Sequence, residues 1–224
     1  MKKVLVFAAH QDDETIGCGG TISKFSKNGS EVTVVFVTDG STGFSKGQEH
    51  EVKSVVSKRS KESKKACNLL GVNEVIELRL PCQKIENNQE NFHSFIKIIR
   101  DQKPNLVITH SDNDKHRDHL AVNKLCVEAA WKANEDIHPE LGCRHKIDDL
   151  WCFEITDLIC PDYYVDITET YEDKIAAFQC YDSQNGIIEN YSNLIDGLSK
   201  VRGFNSGVLR AEGFKSITPF GKLI

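Results

Sequence analysis

The segment KVLVFAAHQDDETIGCGGTISKFSKNGSEVTVVFVTDG, residues 3–40, contains the pattern that decides the fold. A β-branched, apolar run predicts a buried strand from Lys3 to Ala8, and a second run predicts another from Val32 to Val37. Between them, a helix is predicted from Glu14 to Lys27, ending at Asn28-Gly29, a pair suited to a left-handed stop. A strand, a helix and a strand in this order indicate a parallel βαβ unit.

The same alternation continues along the chain. Further helices are predicted over Gly47–Leu70, Asn91–Asp101 and Asp118–Ala133, and further strands over Val75–Leu78 and Leu106–Thr109. We therefore predict an α/β fold with a Rossmann-like, doubly wound, mainly parallel sheet. The 224 residues suit a single domain, with a core over about residues 1–135 and a C-terminal elaboration over about residues 136–224. Within the elaboration, the pattern predicts strands Leu150–Thr156 and Tyr164–Ile167 and helix Glu169–Gln179.

Composition excludes several classes of protein. The net charge of −5 is spread along the chain, so neither nucleic acid nor an anionic lipid surface is expected as a partner. No apolar run approaches membrane-spanning length, and the run after Met1 meets charged residues too soon for a signal peptide. The eight cysteines are irregularly spaced without a CxxC pair, which indicates reduced thiols in a cytoplasmic protein.

Polar side chains follow the first and fourth predicted strands. One group is His10-Gln11-Asp12-Asp13-Glu14, and the other runs from His110 to His119; together they hold four of the eight histidines. Because ligands bind beyond the carboxyl ends of the strands in a doubly wound sheet, both groups are candidates for a site. A catalytic zinc ion takes three protein ligands and keeps one position for water. We predict that His10, Asp13 and His119 are these ligands and that Asp12 accepts a proton from the water.

The second group supplies two further candidates. His116 and His119 are three residues apart, so they share one helix face if the helix begins near His116. A protonated His116 would stabilise an oxyanion or donate to a leaving amine. Asp118 would orient or charge-stabilise a histidine.

Each group also has a structural interpretation. Aspartates at a helix start often cap its backbone N–H groups, and solvated helix starts often carry charges such as those of HRDH. The presence of both groups at neighbouring strand ends favours the metal site. Gly17, Gly19 and Gly20 do not match a phosphate-binding loop and instead indicate close packing of helix on sheet. A loop bordering the site is predicted over Gly43–Gly47.

These motifs resemble those of the LmbE-like, or PIG-L, superfamily of zinc-dependent N-acetylglucosaminyl deacetylases. Ala9-His10-Gln11-Asp12-Asp13-Glu14 is similar to the family motif AHPDDE, and His116-Arg117-Asp118-His119 is similar to its HxDH motif. The resemblance implies zinc ligands at His10, Asp13 and His119, with Asp12 as general base and His116 as electrophilic or acid partner. It also implies that Arg59 contacts substrate, although a solvated cation on a basic helix face is an equal alternative.

The chain departs from the family pattern at two positions. Gln11 replaces the usual proline, which removes a rigid φ angle but no ligand. Cys82 stands where relatives often carry an aspartate that touches sugar, which affects substrate identity more than activity.

The resemblance implies a hydrolase that uses Zn2+ and water to remove an N-acetyl group from an N-acetylglucosamine-type sugar or its conjugate. A cytoplasmic enzyme with a small-molecule amino-sugar substrate is expected. The oligomeric state stays open, and the resemblance makes a homo-oligomer one candidate because relatives often assemble. Two alternatives stay open: a metal-dependent amidase acting on a non-sugar small molecule, and a non-catalytic sugar-binding module.

Overall fold

The computed structural model describes residues 2–42, 52–184 and 190–217, so the predicted Gly43–Gly47 loop lies outside the described residues. The described strands are β1 (Lys3–Ala8), β2 (Glu31–Thr38), β3 (Glu74–Leu80), β4 (Leu106–His110), β5 (Asp149–Phe153), β6 (Tyr163–Asp166) and β7 (Ala211–Ser216). The described helices are α1 (Asp13–Lys27), α2 (Val52–Leu69), α3 (Gln89–Gln102), α4 (Arg117–Lys132), α5 (Tyr171–Phe178) and α6 (Tyr191–Ser206).

The strands form one sheet in the order β3-β2-β1-β4-β5-β7-β6. Strands β1 to β5 are parallel, whereas β7 pairs antiparallel with both β5 and β6. This topology confirms the predicted α/β fold with a doubly wound, mainly parallel sheet. The chain passes from β1 to β2 on one side and later returns to β4 on the other. The order therefore reverses beside β1, where such folds bind their ligands.

Both faces of the sheet are covered, which explains why the parallel strands read as continuous apolar runs. Val4, Val6 and Ala8 of β1 face a core built with α1, α2 and α5. The alternate residues, Leu5 and Phe7, face a second core built with α3 and α4. Among the described residues, no helix has the length and apolar character needed to cross a membrane.

Helix α1 is predicted as continuous but has a kink at Cys18, whose φ of −146° is not helical. The kink leaves backbone groups of the flanking turns without helical partners. Glu212 accepts hydrogen bonds from the N–H groups of Gly20 and Thr21, at 3.0 and 2.8 Å. Lys174 donates to the carbonyl of Ile16 at 2.8 Å. Lys174 and Glu212 form a buried ion pair, 2.5 Å apart, and together they supply hydrogen-bond partners to the backbone groups around the kink.

The second and third turns of α1 lie very close to their neighbours. A Cβ atom on Gly17 would lie 2.3 Å from the ring of Phe153 in β5, and one on Gly20 would lie 2.8 Å from Ile167. These contacts confirm that the glycines of α1 serve close packing.

The C-terminal elaboration differs most from the prediction. Strand β5 ends at Phe153 rather than Thr156, since Glu154 turns into a buried ion pair with Arg202, 2.6 Å away. Helix α6 and strand β7 were not predicted, because their sequence is rich in Gly and Asn and lacks a clear apolar period.

Candidate active site

A cavity of about 230 Å³ opens at the carboxyl ends of β1 and β4. Of the seven residues predicted for the site, six line this cavity: His10, Asp12, Asp13, Arg59, His116 and His119. The seventh, Asp118, is buried behind the ring of His10. The fold therefore brings residues separated by more than a hundred positions into one place.

Asp13 lies at the centre of the histidine cluster. Its Oδ2 atom is 3.1 Å from Nδ1 of His10, and its Oδ1 atom is 3.4 Å from Nε2 of His119. A tetrahedral ion with ligand bonds of about 2.0–2.2 Å separates neighbouring donor atoms by about 3.3–3.6 Å. Across the described residues, the groups with ligand atoms within 4.8 Å of one another include His10-His116-His119 and Asp13-His110-His119. The nitrogen and oxygen donors of His10, Asp13 and His119 suit zinc. Their role as ligands stays a prediction.

The second nitrogen of each histidine faces a carboxylate. Nε2 of His10 is 3.0 Å from Asp118 Oδ2, and Nδ1 of His119 is 3.1 Å from Asp114 Oδ2. Carboxylates in this position fix the ring orientation of metal-binding histidines. Asp114 was not predicted, although it lies within the polar segment after β4. The sequence offered no way to separate it from the neighbouring aspartates.

His110 is a second residue that the prediction missed. Its ring is fully buried, and Nε2 accepts the backbone N–H of Ala9 at 2.8 Å while lying 3.4 Å from Asp13 Oδ2. Burial lowers the pKa of His110 to about 4, and the neighbouring His119 contributes to the shift. A neutral His110 thus ties the end of β1 to the end of β4.

Asp12 has an unusual backbone and an unpaired helix cap. Its φ is 136° and its ψ is −28°, and although it occupies the N-cap of α1 its side chain makes no capping hydrogen bond. Oδ2 lies 3.4 Å from Nη2 of Arg59. Burial raises the pKa of Asp12 to about 6, against the opposing charge of Arg59. The capping interpretation of this carboxylate is therefore wrong.

Glu14 stabilises the strained backbone at Asp12 through hydrogen bonds. Its Oε2 accepts the backbone N–H of Asp12 at 3.1 Å, and its Oε1 accepts the hydroxyls of Thr15 and Tyr181 at 2.6 and 2.5 Å. All of these groups are buried. Backbone strain of this kind persists where surrounding contacts fix it, and it is concentrated at functional sites.

Arg59 is only 3% exposed, so its interpretation as a solvated cation is wrong. Nη2 donates to the carbonyl of Gln11 at 2.6 Å, next to its contact with Asp12. The guanidinium lines the cavity, and its predicted contact with substrate stays a prediction. Gln11 donates its own side-chain N–H to the carbonyl of Thr38 at 2.9 Å, which anchors the loop where relatives use proline.

His116 is the N-cap of α4, so His116 and His119 share a helix face as predicted, with ring centroids 4.5 Å apart. Nδ1 of His116 accepts the backbone N–H of Asp118 at 3.2 Å. Burial and the neighbouring charges of His10 and His119 lower the pKa of His116. Because Nδ1 accepts this bond, the proton of a neutral His116 lies on Nε2, whereas the protonated form expected from the sequence would lose the cap.

Cys82 does not line the cavity. Its side chain is 4% exposed and lies beside His10, while the next residue, Gln83, is the one that lines the cavity. Burial opposes ionisation of the thiol, but hydrogen bonds with His10, the Thr38 hydroxyl and the Thr42 backbone lower the pKa of Cys82 to about 7. The residue in the aspartate position is thus a buried, polarised thiol.

The doubly wound sheet and the histidine and carboxylate cluster at its switch point define an α/β protein with a metal-competent site. The family model PIG-L, GlcNAc-PI de-N-acetylase, matches residues 5–130, more than half of the chain. The chain belongs to the PIG-L family, which confirms the resemblance seen in its motifs.

Similar proteins match this chain over most of its length. The diacetylchitobiose deacetylase of Thermococcus kodakarensis is 28% identical over 100% of this chain and 89% of its own length. Among solved structures, N,N'-diacetylchitobiose deacetylase from Pyrococcus horikoshii, complexed with its inhibitor MPG, superposes with a TM-score of 0.88 at 27% identity, covering 97% of this chain and 84% of that one. The 4-carboxy-2-hydroxymuconate hydratase GalB of Pseudomonas putida KT2440 superposes with a TM-score of 0.85 at 25% identity, covering 100% and 98%.

Proposed function

We propose that this protein is a zinc-dependent hydrolase that removes the N-acetyl group from an N-acetylglucosamine-type sugar or its conjugate. One observation carries the proposal. Asp12 and Asp13 are both buried after β1 and Asp12, at the helix N-cap, makes no capping bond; Asp13 lies against histidines from β4 and α4, and Asp12 lies against Arg59. In a family of de-N-acetylases, such a cluster at the switch point is best explained as the reaction centre.

Zinc would be held by His10, Asp13 and His119, whose nitrogen and oxygen donors suit this ion and whose two histidines both lie beside Asp13. When bound, it would supply Lewis-acid activation of a water molecule and of the acyl oxygen. Asp118 and Asp114 would keep the rings of His10 and His119 oriented. The chain itself therefore provides both the proposed ligands and the carboxylates that orient them.

Asp12 is the proposed general base. Its carboxylate lines the cavity, and its pKa of about 6 suits a group that accepts a proton and then releases it. It takes a proton from the attacking water and passes it to the departing amine. His116, neutral with a proton on Nε2, donates a hydrogen bond to the acyl oxygen as negative charge develops there. Arg59 orients the substrate or the Asp12 carboxylate from the cavity wall.

The sugar substrate is supported by the relatives, whose names include diacetylchitobiose deacetylase and N-acetyl-α-D-glucosaminyl L-malate deacetylase. The hydratase relative supports a second candidate function, since addition of water to a carbon–carbon double bond also requires an activated water molecule. A non-sugar amide stays an alternative substrate of the same machinery.

The experiment that tests the proposal is an amine-release assay over N-acetylglucosaminyl compounds with zinc present, run beside a hydration assay on an unsaturated hydroxy-tricarboxylate. We expect free amine and acetate in equal amounts and no hydration product. Hydration without amine release would overturn the deacetylase assignment. The assay is repeated with Asp12→Ala and His119→Ala, and near-normal turnover of either variant with unchanged zinc content would overturn the residue assignment.

We also propose a cytoplasmic location and a homo-oligomeric state. All eight cysteines are free thiols, as expected in a reducing compartment. Val201, Phe204 and Leu209, on and just after α6, are 54%, 86% and 71% exposed, which supports burial against a second copy. Light scattering of the purified protein tests the second proposal, and a monomer at micromolar concentration would contradict it.

A further inference from the structure

The two ring nitrogens of His10 face different sets of donor atoms. Nδ1 points to Asp13, within the proposed zinc site. Nε2 lies 3.0 Å from Oδ2 of Asp118, and the thiol of Cys82 also contacts the ring. One ligand atom each from His10, Cys82 and Asp118 lies within 4.8 Å of the other two. A second cluster of metal-competent groups therefore lies next to the first.

Three separate elements bring this cluster together. His10 follows β1, Cys82 follows β3, and Asp118 lies in the first turn of α4. The carboxylate is also fixed by the backbone N–H of Gln83, 2.7 Å from Oδ2. The thiol is held by the hydroxyl of Thr38 and the backbone of Thr42. The donor atoms are thus positioned by contacts outside the cluster, as the ligands of protein metal sites are.

The chemistry of the donors selects the kind of ion. Imidazole and thiolate favour zinc and other thiophilic ions, whereas magnesium and calcium prefer sites made of oxygen alone. Bonds of about 2.0–2.3 Å to a tetrahedral ion place neighbouring donors about 3.3–3.8 Å apart. The donor atoms of the cluster lie within 4.8 Å of one another, and His10 and the adjacent Gln83 connect the cluster to the cavity.

We propose that His10, Cys82 and Asp118 form a second site for a thiophilic divalent cation, with zinc or cadmium as its occupant. Binding releases the thiol proton and any proton shared between Nε2 of His10 and Asp118. Among the described residues, Cys82 is the one cysteine in any such cluster, so the site depends on the residue by which this chain departs from the family pattern.

Occupation of this site has a consequence for turnover, which rests on the proposed function. The ion would replace the hydrogen bond by which Asp118 orients His10. It would also place a second positive charge beside the proposed zinc ligands. Excess zinc or cadmium is therefore expected to inhibit the enzyme by way of Cys82.

The test is a cadmium titration of the zinc-loaded protein, followed through the ultraviolet thiolate-to-cadmium absorption band. The reference protein carries Cys143→Ser and Cys160→Ser, which remove the two exposed thiols. We expect a band that saturates at one equivalent in the reference protein and is lost when Cys82→Ser or Cys82→Ala is added. This readout does not depend on catalysis, so it stands whether or not the proposed function is correct.

Absence of the band in the reference protein would overturn the site, and so would a band that persists in both Cys82 variants. Turnover is measured in the same samples, each relative to its own value before cadmium. We expect the reference protein to lose activity in step with the band while the Cys82→Ser protein keeps its starting rate. A saturated band with unchanged turnover would overturn the inhibition through His10.

Discussion

At the scale of single residues, Asp12 shows most clearly how the site differs from an ordinary helix start. It has a left-handed φ of 136°, a buried carboxylate without a capping bond, and a guanidinium partner 3.4 Å away. A residue selected for stability alone would cap the helix and avoid this strain. The strained backbone is therefore explained by the position of the Asp12 carboxylate, which lines the cavity instead of capping α1.

Replacement of Asp12 by Asn keeps the size of the side chain and removes the base. We expect the kcat for amine release to fall by about 10²–10⁴-fold, the usual contribution of general-base catalysis, with zinc content unchanged. Steady-state kinetics and metal analysis of the same sample provide the measurement. A loss smaller than tenfold would show that another group accepts the proton.

The buried hydroxyl of Tyr181 predicts a stability effect, because it donates to Glu14, which in turn holds the backbone of Asp12. Tyr181→Phe should lower the free energy of unfolding by about 1–3 kcal/mol, because the buried Glu14 carboxylate loses one of the two hydroxyls that donate to Oε1. Urea denaturation measures the change. The matched control is Tyr163→Phe at an exposed position, where less than about 0.5 kcal/mol is expected. Equal effects at the two tyrosines would contradict this role.

The sequence predicted the site residues unequally, for physical reasons. His10, Asp13 and His119 were identified because their types and their places after strands match zinc chemistry. Asp114 and Glu14 were missed, since their roles arise from which atom faces which partner. Which atom faces which partner depends on backbone angles such as the φ of Asp12, and the residue types alone do not reveal these angles.

At the scale of elements, helix α1 links the C-terminal quarter to the site. Lys174 of α5 and Glu212 of β7 satisfy the backbone groups that the kink at Cys18 exposes, and the segment before the kink begins with Asp13. Strand β7, which the sequence did not predict, and helix α5 thus support the start of α1, where the predicted residues Asp12 and Asp13 lie.

The buried ion pair at the kink gives a prediction for stability. Lys174→Met removes the partner of a buried carboxylate, so we expect a loss of about 3–5 kcal/mol in the free energy of unfolding. The comparison is Lys97→Met, whose partner Asp101 is exposed and whose loss should cost less than about 1 kcal/mol. Thermal and urea unfolding of both variants test this, and equal losses would contradict it.

The close contact of α1 with the sheet gives a second prediction at this scale. Gly17→Ala places a methyl group against Phe153 and should destabilise the protein by about 1–3 kcal/mol through overpacking. Gly197→Ala is the control, because a Cβ there meets nothing within 4 Å in an exposed part of α6. That change should stabilise by about 0.5–1 kcal/mol. If both substitutions stabilised the protein, the packing explanation would be wrong.

Most of the alternating strands and helices could be predicted to within a few residues, because buried parallel strands and amphipathic helices have distinct apolar periods. Helix α6 and strand β7 could not, since α6 carries glycines and polar residues and β7 has the mixed sequence AEGFKS. The kink in α1 was also missed, because its cause lies in partners nearly 200 positions away.

At the scale of the whole molecule, the reversal of strand order beside β1 decides where chemistry takes place. It opens a crevice into which the ends of β1 and β4 both deliver histidines and carboxylates. We propose that the chain acts as a single domain, since β5, β7 and β6 extend the sheet of the core without interruption. The C-terminal elaboration is then part of the same domain as the site.

The most direct test of the central claim is the release of acetate from N,N'-diacetylchitobiose by the protein stripped of metal and then supplied with one equivalent of zinc. We predict no release before zinc is added and restored release afterwards, with one free amine formed for each acetate. Release that continues unchanged in the stripped protein, or that zinc fails to restore while the protein stays folded, would contradict the claim.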